Sequence, residues 1–487
     1  MSSTIYEPVI GLEVHVEMLT KSKMFCSCPV VDSTNAEPNT AVCPICAGHP
    51  GTLPVLNGQA VAYGLRVAAA LDCKISAISI FARKNYFYPD LPKGYQITQY
   101  EQPLAENGRI TLVTASGEKV IRIRRVHLEE DTGKLTHIDQ ETSFSLVDLN
   151  RAGVPLLEIV TEPDFHSADE VRAYAESLRA LVRYLGVNSG DLEKGVMRIE
   201  PNISVRPVGQ EELGTKVEIK NLNSFRALER GVAYEINRQI ELIESGGKVS
   251  QETVGWDEAK QATYSQRSKE DAHDYRYFPE PDLPPLLVSE RWMEDVRSAL
   301  PELPWERSRR YRQDYGLSLA ESWQLAAEKA PGDYFEAVLQ AGSGANVRTV
   351  YAWVTGEILS LMNASGTGFE TLKVLPKDLS NLLALITSGQ INQNTGKSVL
   401  AEMFVSGRAA EDIVATKGLA QVSDQAFIAQ LVKAILVEYA GEVESFRAGK
   451  ITVANFLFGQ VMRKAGGKAN PQVLRAELEK QLNEVNS

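Results

Sequence analysis

The residues best suited to chemistry lie in one short segment near the start of the sequence, Ile10–Glu17. Apolar and polar residues alternate strictly along it, and the polar positions are Glu13, His15 and Glu17. Two-residue alternation is typical of a half-buried strand. Two carboxylates that flank an imidazole on one strand face can ligate a metal ion or act as a general acid or base. The alternative interpretation is the solvated face of an edge strand.

Two later segments repeat this arrangement. Residues 196–206 alternate with Arg198 and Glu200 on the polar face, and a short strand after them aligns Glu218 with Lys220. Three strands that each carry carboxylates on one face suggest a curved antiparallel sheet with a site on its concave side.

An acidic cluster follows a predicted β-hairpin. The second strand of the hairpin ends at His127 and is expected to lead into a turn with Glu129, Glu130 and Asp131. Carboxylates in such a cluster can hold Mg²⁺, which bridges nucleotide and substrate oxygens in phosphate transfer. A solvated turn is the alternative.

Four cysteines form two close pairs separated by fourteen residues, Cys26 with Cys28 and Cys43 with Cys46. Two pairs joined by a loop commonly present four thiolates tetrahedrally to zinc. No activating base accompanies them, so we expect a structural site in an inserted knuckle of residues 26–46. Reduced cysteines that bind nothing, or a different soft metal, are the alternatives.

Two irregular segments carry candidate substrate-binding residues. Residues 83–96 interleave basic and aromatic side chains, including Lys84 and Tyr86, which suits stacking on a base and neutralising phosphate. Arg151 stands among turn residues, where a guanidinium can clamp phosphate or carboxylate. The alternatives are a loop pinned by its own rings and an arginine that bonds only to backbone carbonyls.

The composition is that of an ordinary globular protein, with 487 residues, 44% hydrophobic and 23% charged. The net charge of −12 argues against general coating of polyanions, although it allows a local basic patch. No apolar run approaches the ~20 residues of a membrane span. The first seven residues lack the basic and apolar regions of a secretory signal. We therefore expect a cytoplasmic protein with no membrane partner.

The sequence changes in character after about residue 289, because strand-like patterns stop and short helical stretches follow. The predicted divisions are a large domain over 1–290, a helical domain over 291–409 and a helical tail over 410–487. Residues 445–476 contain no acidic residue but carry Arg463, Lys464 and Lys468. This segregation favours a polyanion-binding tail, and a chance charge bias is the alternative.

Several segments together resemble the GatB family, whose members are the B subunits of tRNA-dependent amidotransferases. The resemblance covers essentially the whole chain, and its segments are Ile10–Glu17, Arg83–Gln96, His127–Asp131, Asp148–Glu158, Lys220–Phe225, Asp274–Pro281 and Gly466–Pro471. The run Asp-Leu-Asn-Arg-Ala-Gly-Val-Pro-Leu-Leu-Glu and the run Asp-Tyr-Arg-Tyr-Phe-Pro-Glu-Pro are its most specific parts.

The resemblance implies a ligase that amidates Glu-tRNA(Gln), Asp-tRNA(Asn) or both. ATP and Mg²⁺ phosphorylate the misacylated side-chain carboxylate, and ammonia from a glutaminase partner then displaces the phosphate. The implied complex is a heterotrimer of this chain, that glutaminase (GatA) and a small stabilising partner (GatC). The implied fold is α+β, with a large antiparallel-sheet cradle that resembles the glutamine synthetase catalytic fold and all-helical C-terminal domains, of which the tail contacts tRNA.

The resemblance also implies roles for individual residues. The magnesium neighbourhood is His15, Glu130, Glu200 and Glu218, with Glu13 and Glu129 close by. Glu200 stands where many members have aspartate, and its longer side chain can still reach a metal. The zinc ligands are Cys26, Cys28, Cys43 and Cys46, as in a zinc-bearing subset of the family. The candidates for holding ATP or substrate are Lys84, Tyr86, Arg151, Arg198 and Lys220, and those for tRNA are Arg463, Lys464 and Lys468.

Two other functions stay open on the sequence. A non-catalytic zinc-ribbon protein that binds RNA or acts as a scaffold explains the cysteines and the basic tail, but not three strands with carboxylates. A ligase that acts alone on a small amino acid predicts ATP-dependent activity without tRNA. The sequence contains no Walker A motif or Gly-rich dinucleotide fingerprint, so nucleotide binding would use the sheet.

Overall fold

The structure is a computed structural model that describes residues 4–114, 117–138, 144–268, 274–420, 425–466 and 469–484. The chain forms two compact units, the first ending at Glu328 and the second beginning at Lys329. The first combines sheets with helices and the second is helical, which confirms the predicted α+β class. The division into three domains stays a prediction.

The strands all belong to the first unit. They are β1 (Tyr6–Glu17), β2 (Lys74–Ile75), β3 (Ile78–Ser79), β4 (Phe81–Asn85), β5 (Tyr95–Gln99), β6 (Ala105–Thr114), β7 (Gly117–Glu130), β8 (Lys134–Ile138), β9 (Phe144–Asp148), β10 (Pro155–Thr161), β11 (Met197–Pro207), β12 (Val217–Lys220), β13 (Glu252–Asp257), β14 (Ala262–Ser268), β15 (Phe278–Pro279) and β16 (Leu286–Leu287). Within the described residues, nine of them form one sheet in the order β14-β13-β12-β11-β1-β10-β7-β6-β2.

The opening segment forms β1 in the interior of this sheet, paired antiparallel with β10 on one side and β11 on the other. The edge-strand interpretation is therefore wrong. The expected all-antiparallel sheet is wrong at one pair, because β12 and β13 are parallel. The helix Phe225–Glu244 separates these two strands in sequence, and parallel neighbours require such a crossover connection.

The helices are α1 (Gly58–Ala70), α2 (Ala168–Tyr184), α3 (Phe225–Glu244), α4 (Glu290–Ser298), α5 (Pro304–Tyr315), α6 (Leu319–Ala326), α7 (Lys329–Gln340), α8 (Val347–Ala352), α9 (Leu359–Ser365), α10 (Pro376–Thr387), α11 (Gln393–Ser406), α12 (Ala410–Lys417), α13 (Gln425–Glu438), α14 (Ala440–Arg447), α15 (Val453–Lys464) and α16 (Pro471–Glu484). A π-helical turn, Trp353–Ile358, joins α8 to α9. Among the helices described, none is long and apolar enough to cross a membrane.

The apolar face of β1 lies at the centre of the core of the first unit. Leu12, Val14 and Val16 are at most 1% exposed, and residues of α1, α2 and α3 belong to the same cluster. Full burial of such a side chain contributes about 1.5–3 kcal/mol. Since alternate residues of a strand point to opposite faces, this packing commits Glu13, His15 and Glu17 to the other face of the sheet.

A separate apolar cluster stabilises the end of the second unit. It is formed by α13, α14, α15 and α16, with Leu457 and Leu474 fully buried. The helical character that the sequence predicted for this part of the chain is confirmed, and no strand follows β16 in the described ranges.

Candidate active site and metal centres

The first row of polar side chains crosses four strands of the sheet. His15 on β1 stands opposite Glu158 on β10 and opposite Arg198 on β11, and Glu158 stands opposite His127 on β7. Because all four strands pair in this register, residues far apart in the sequence meet on one face.

The first metal-competent cluster lies in this row and beside it. His15, Glu129 and Glu158 each offer a ligand atom, and these atoms lie within 4.8 Å of one another. The His15 Nε2 atom lies 3.5 Å from Glu158 and 3.7 Å from Glu129. The Thr98 hydroxyl donates a hydrogen bond to Glu129, and His127 Nε2 lies 3.0 Å from Glu158, so both carboxylates are held in place.

Charge and burial act against each other in this cluster. Burial disfavours the charged form of His15, but its hydrogen bond to Glu158 and the surrounding carboxylates outweigh that cost and raise its pKa to about 9. Burial likewise opposes ionised Glu158, yet the nearby imidazoles of His127 and His15 hold its pKa well below its usual range. The cluster is therefore an ionised carboxylate bound between two imidazoles.

The donor set fits a divalent cation. Two carboxylates and an imidazole suit a hard or borderline ion such as Mg²⁺ or Mn²⁺. The buried Nδ1 atoms of His15 and His127 have no hydrogen-bond partner among the described residues. Buried unpaired polar atoms are typical of sites that an ion or water completes.

The second cluster consists of three carboxylates. Glu13 stands opposite Glu200, and their oxygens and one of Glu218 lie within 4.8 Å of one another. Burial and the neighbouring carboxylates raise the pKa of Glu13. Lys220 lies 2.7 Å from Glu200 and 3.4 Å from Glu218. One ammonium against three carboxylates leaves net negative charge, which a divalent cation can neutralise.

The structure separates Glu130 from the residues predicted to accompany it. β7 continues through Glu130, so the expected turn at Glu129 and Glu130 is wrong. Alternation along the strand turns Glu130 away from Glu129, and its carboxylate accepts hydrogen bonds from Lys93 Nζ and from the backbone N–H of Ile97. The other predicted magnesium residues fall into the two clusters described above.

Glu158 is the functional residue that the sequence reasoning missed. It stands alone in an apolar strand, Leu-Leu-Glu-Ile-Val, at the middle of the sheet. A carboxylate is rarely buried unless it is paired or binds a metal. That isolated acid was the available signal, and it needed the register with His15 to be interpreted.

The predicted basic residues differ in how they are engaged. Arg198 Nη2 lies 2.8 Å from Asp131, and Arg198 also approaches Glu17. Burial and the Asp131 carboxylate raise the pKa of Glu17 to about 8. Arg151 donates to the backbone carbonyls of Thr132 and Gly133, as the structural alternative for it predicted.

Lys84 lies among aromatic rings beside the first cluster. Its ammonium is 4.9 Å from the ring centre of Tyr275 and 5.9 Å from that of Tyr86. Burial opposes its charge, but Glu129 and the other nearby negative groups outweigh burial and raise the pKa of Lys84. A lysine held charged against π faces, next to carboxylates, is well placed to meet a phosphate.

The four cysteines of the predicted knuckle come together. Their sulfur atoms lie within 4.8 Å of one another and all four are free thiols. A hydrogen bond from Cys26 outweighs burial and, with the backbone N–H of Cys43 and the charge of Lys23, lowers the pKa of Cys46 to about 4. A tetrad of sulfur atoms at this spacing fits a soft or borderline metal such as zinc.

Two of the three predicted tRNA-binding residues lie in the last turn of α15. Lys464 pairs with Glu438 at 2.7 Å, and Arg463 precedes it. Lys468 lies outside the described residues.

Comparisons with known proteins agree with this architecture. Residues 8–294 match the family described as the GatB/GatE catalytic domain, and residues 333–482 match the GatB domain family. The chain is 51% identical over 477 residues to the B subunit of the aspartyl/glutamyl-tRNA(Asn/Gln) amidotransferase of Myxococcus xanthus, with 98% of each chain covered. It is 49% identical over 479 residues to the protein of that name from Thermodesulfovibrio yellowstonii, with 98% of this chain and 100% of that one covered.

Sheet, clusters and matched domains together define a catalytic protein of the GatB/GatE class. More particularly, the chain belongs to the GatB family, the B subunits of the aspartyl/glutamyl-tRNA amidotransferases. This confirms the resemblance seen in the sequence.

Proposed function

We propose that this chain is the component that activates and amidates the misacylated amino acid in an ATP-dependent, tRNA-dependent amidotransferase. The substrate is Glu-tRNA(Gln), Asp-tRNA(Asn) or both, and the products are Gln-tRNA(Gln) and Asn-tRNA(Asn). The observation that carries the proposal is the pair of carboxylate clusters side by side on the polar face of β1, in a chain of this family.

The chemistry explains why such a face is needed. A carboxylate is a poor electrophile, so amidation first requires a leaving group, which phosphorylation supplies. His15, Glu129 and Glu158 would hold one Mg²⁺, and Glu13, Glu200 and Glu218 a second. When bound, the metal neutralises phosphate charge and aligns the nucleotide with the carboxylate that attacks it.

The surrounding side chains position these groups. His127 and Thr98 hold the first cluster in one geometry, and Lys220 keeps Glu200 and Glu218 together in the second. Lys84 brings positive charge to the edge of the first cluster, where it can bind a phosphate oxygen. Preorganised charges of this kind stabilise a transferring phosphoryl group without rearrangement during the reaction.

The proposal extends to partners and to the cysteine cluster. The relatives are named as B subunits, which supports a multi-protein complex. We assign it as a heterotrimer of this chain, a glutaminase (GatA) that supplies the ammonia, and a small stabilising partner (GatC). Cys26, Cys28, Cys43 and Cys46 hold a structural zinc, since no open ligand position or neighbouring base is evident among the described residues around them.

The decisive experiment is amidation by the reconstituted complex. We expect ATP- and Mg²⁺-dependent formation of Gln-tRNA(Gln) or Asn-tRNA(Asn), with Glu-tRNA(Gln) and Asp-tRNA(Asn) tested separately. Glu218→Gln should remove that activity, whereas Glu193→Gln, at an exposed position, should not. Amidation that survives Glu218→Gln would contradict the site. Amidation of free glutamate or aspartate without tRNA would replace the proposal with a ligase that acts alone.

The tail makes a separate contribution to tRNA binding. Arg463→Gln should weaken tRNA binding and reduce its salt dependence, because each phosphate contact contributes about 0.9 to the slope of log K against log salt on a duplex. Measured tRNA affinity at several salt concentrations tests this. An unchanged slope would exclude Arg463 from the tRNA interface.

A further inference from the structure

Arg125 lies on the same face of the sheet as the two metal-competent clusters. It stands on β7 opposite Val160 of β10, and Val160 stands opposite Glu13 of β1. Two-residue alternation along β7 places Arg125 on one face with His127 and Glu129. None of the predicted site residues included it, because a single arginine in a basic strand has no distinctive pattern.

Arg125 differs from the other cations of this face in having no acidic partner. Arg198 is paired with Asp131, and Lys220 with Glu200. No carboxylate of the described residues lies within ion-pair distance of the Arg125 guanidinium, and its Nε atom is buried without a hydrogen-bond partner among them. A buried guanidinium nitrogen without an acceptor is costly, so an acceptor is expected from outside the described chain.

The two nearest candidates for such a partner do not serve. Glu106 stands directly opposite Arg125 on β6, yet its side chain is exposed and forms no ion pair with it. Glu158 is two residues from Val160 on β10, but its carboxylate is held by His127 and His15.

An aromatic stack connects Arg125 to the first cluster. Its guanidinium carbon lies 5.7 Å from the ring centre of Tyr100, and Tyr100 stacks on Tyr277 with ring centres 4.0 Å apart. The charges of Glu129 and Glu158 act on the Tyr277 phenol, so the stack borders that cluster. A guanidinium that lies near a ring keeps its fork available for an anion, because ring contact uses no N–H donor.

We propose that Arg125 binds a phosphate oxyanion of the substrates at the edge of the catalytic face. The planar fork of a guanidinium matches phosphate geometry, and such charge-assisted bonds are about twice as strong as neutral ones. This rests on the proposed function, and it adds to it a substrate-binding residue. The phosphate can come from ATP or from the 3′-terminal linkage of the misacylated tRNA, and the two sources are separable by experiment.

The test uses the reconstituted complex with Arg125→Gln, Arg125→Lys and the matched control Arg124→Gln. Arg124 is the preceding residue and is paired with Glu162 on the surface. Initial rates give KM and kcat for ATP and for misacylated tRNA. Equilibrium binding of a non-hydrolysable ATP analogue and of deacylated tRNA gives a second readout that needs no amidation.

We expect Arg125→Gln to lower kcat/KM by about 10- to 100-fold, the effect of one charge-assisted hydrogen bond. Arg125→Lys should retain part of this, since lysine offers charge without the fork, and Arg124→Gln should match wild type. Loss confined to ATP assigns the oxyanion to the nucleotide, and loss confined to tRNA assigns it to the terminal phosphodiester.

The inference is overturned if Arg125→Gln binds both ligands and reacts as wild type does. If Arg125→Gln does not assemble, Arg125→Lys decides, and wild-type binding and kinetics in that variant would overturn the bidentate contact. A wild-type complex that does not amidate would count against the proposed function, while the binding measurements would still decide the role of Arg125.

Discussion

The cysteine cluster and the carboxylate clusters are built in opposite ways. The four thiols come from one segment of the chain, Cys26 to Cys46, and each is within a few residues of another. The first carboxylate cluster takes one residue from each of three strands, and its members His15 and Glu158 are far apart in the sequence. One cluster depends on local spacing and the other on the register of the sheet.

This difference separates two kinds of metal site. The knuckle is tied by its own hydrogen bonds to the loop after β9, where Asn150 accepts from the backbone N–H of Ala41 and donates to the carbonyl of Glu37. Its four sulfur ligands are sufficient for a closed tetrahedral site. The carboxylate clusters offer three protein ligands each and are bordered by Lys84 and tyrosines, which leaves room for a substrate to complete the coordination.

Glu158→Gln tests the carboxylate side of this comparison and has the largest expected effect. The amide keeps the volume but removes the charge between His15 and His127, so we expect kcat for amidation to fall by about 10²- to 10³-fold. Glu162→Gln, in the surface pair with Arg124, is the matched control. Steady-state amidation by the complex measures both. Activity near wild type in Glu158→Gln would mean that the first cluster is not catalytic.

Cys46→Ser tests the cysteine side. Loss of one ligand should release the metal and lower the free energy of unfolding by about 3 kcal/mol, the linkage expected for a metal at ~100 times its Kd. Metal analysis and thermal unfolding measure the two effects, and Cys73→Ala, at a buried cysteine outside the cluster, is the control for metal content. If the site is structural, kcat per folded complex should stay close to that of wild type. A large loss of kcat with unchanged stability would assign the knuckle to catalysis.

The sequence predicted local features well and distant ones only in part. Alternation identified β1 and β11, and Ser167 marks the start of α2 as its capping pattern predicted. The cysteine cluster followed from spacing, because neighbours in sequence constrain one another directly.

The partnership of His15 with Glu158 did not follow, because it depends on which strands pair and in which register. Periodicity reports the face of a residue but not its neighbour across the sheet. The same limit explains the misplaced Glu130, which adjoins Glu129 in sequence but turns to the opposite face. The parallel pair β12–β13 was missed because a short strand does not reveal its direction.

Lys23 sharpens the comparison with the smallest expected effect. Its side chain is fully buried, and its ammonium lies 3.6 Å from the Cys46 sulfur and 3.1 Å from the carbonyl oxygen of Leu149. Burying a lone charge is costly, and a metal bound by four thiolates carries net negative charge that an ammonium offsets. Lys23→Met, which keeps the stem and removes the charge, should weaken metal binding by about 10-fold, as supporting contacts to metal ligands do elsewhere.

Competition with a chelator measures this affinity, and Lys21→Met, at an exposed position in the same segment, is the matched control. The carboxylate clusters should not respond, so the Mg²⁺ dependence of amidation should be the same in Lys23→Met and in wild type. Equal metal retention in Lys23→Met and Lys21→Met would show that the buried ammonium is held by the Leu149 carbonyl alone. A change in Mg²⁺ dependence would instead show that the two kinds of site are coupled through the loop that carries Leu149 and Arg151.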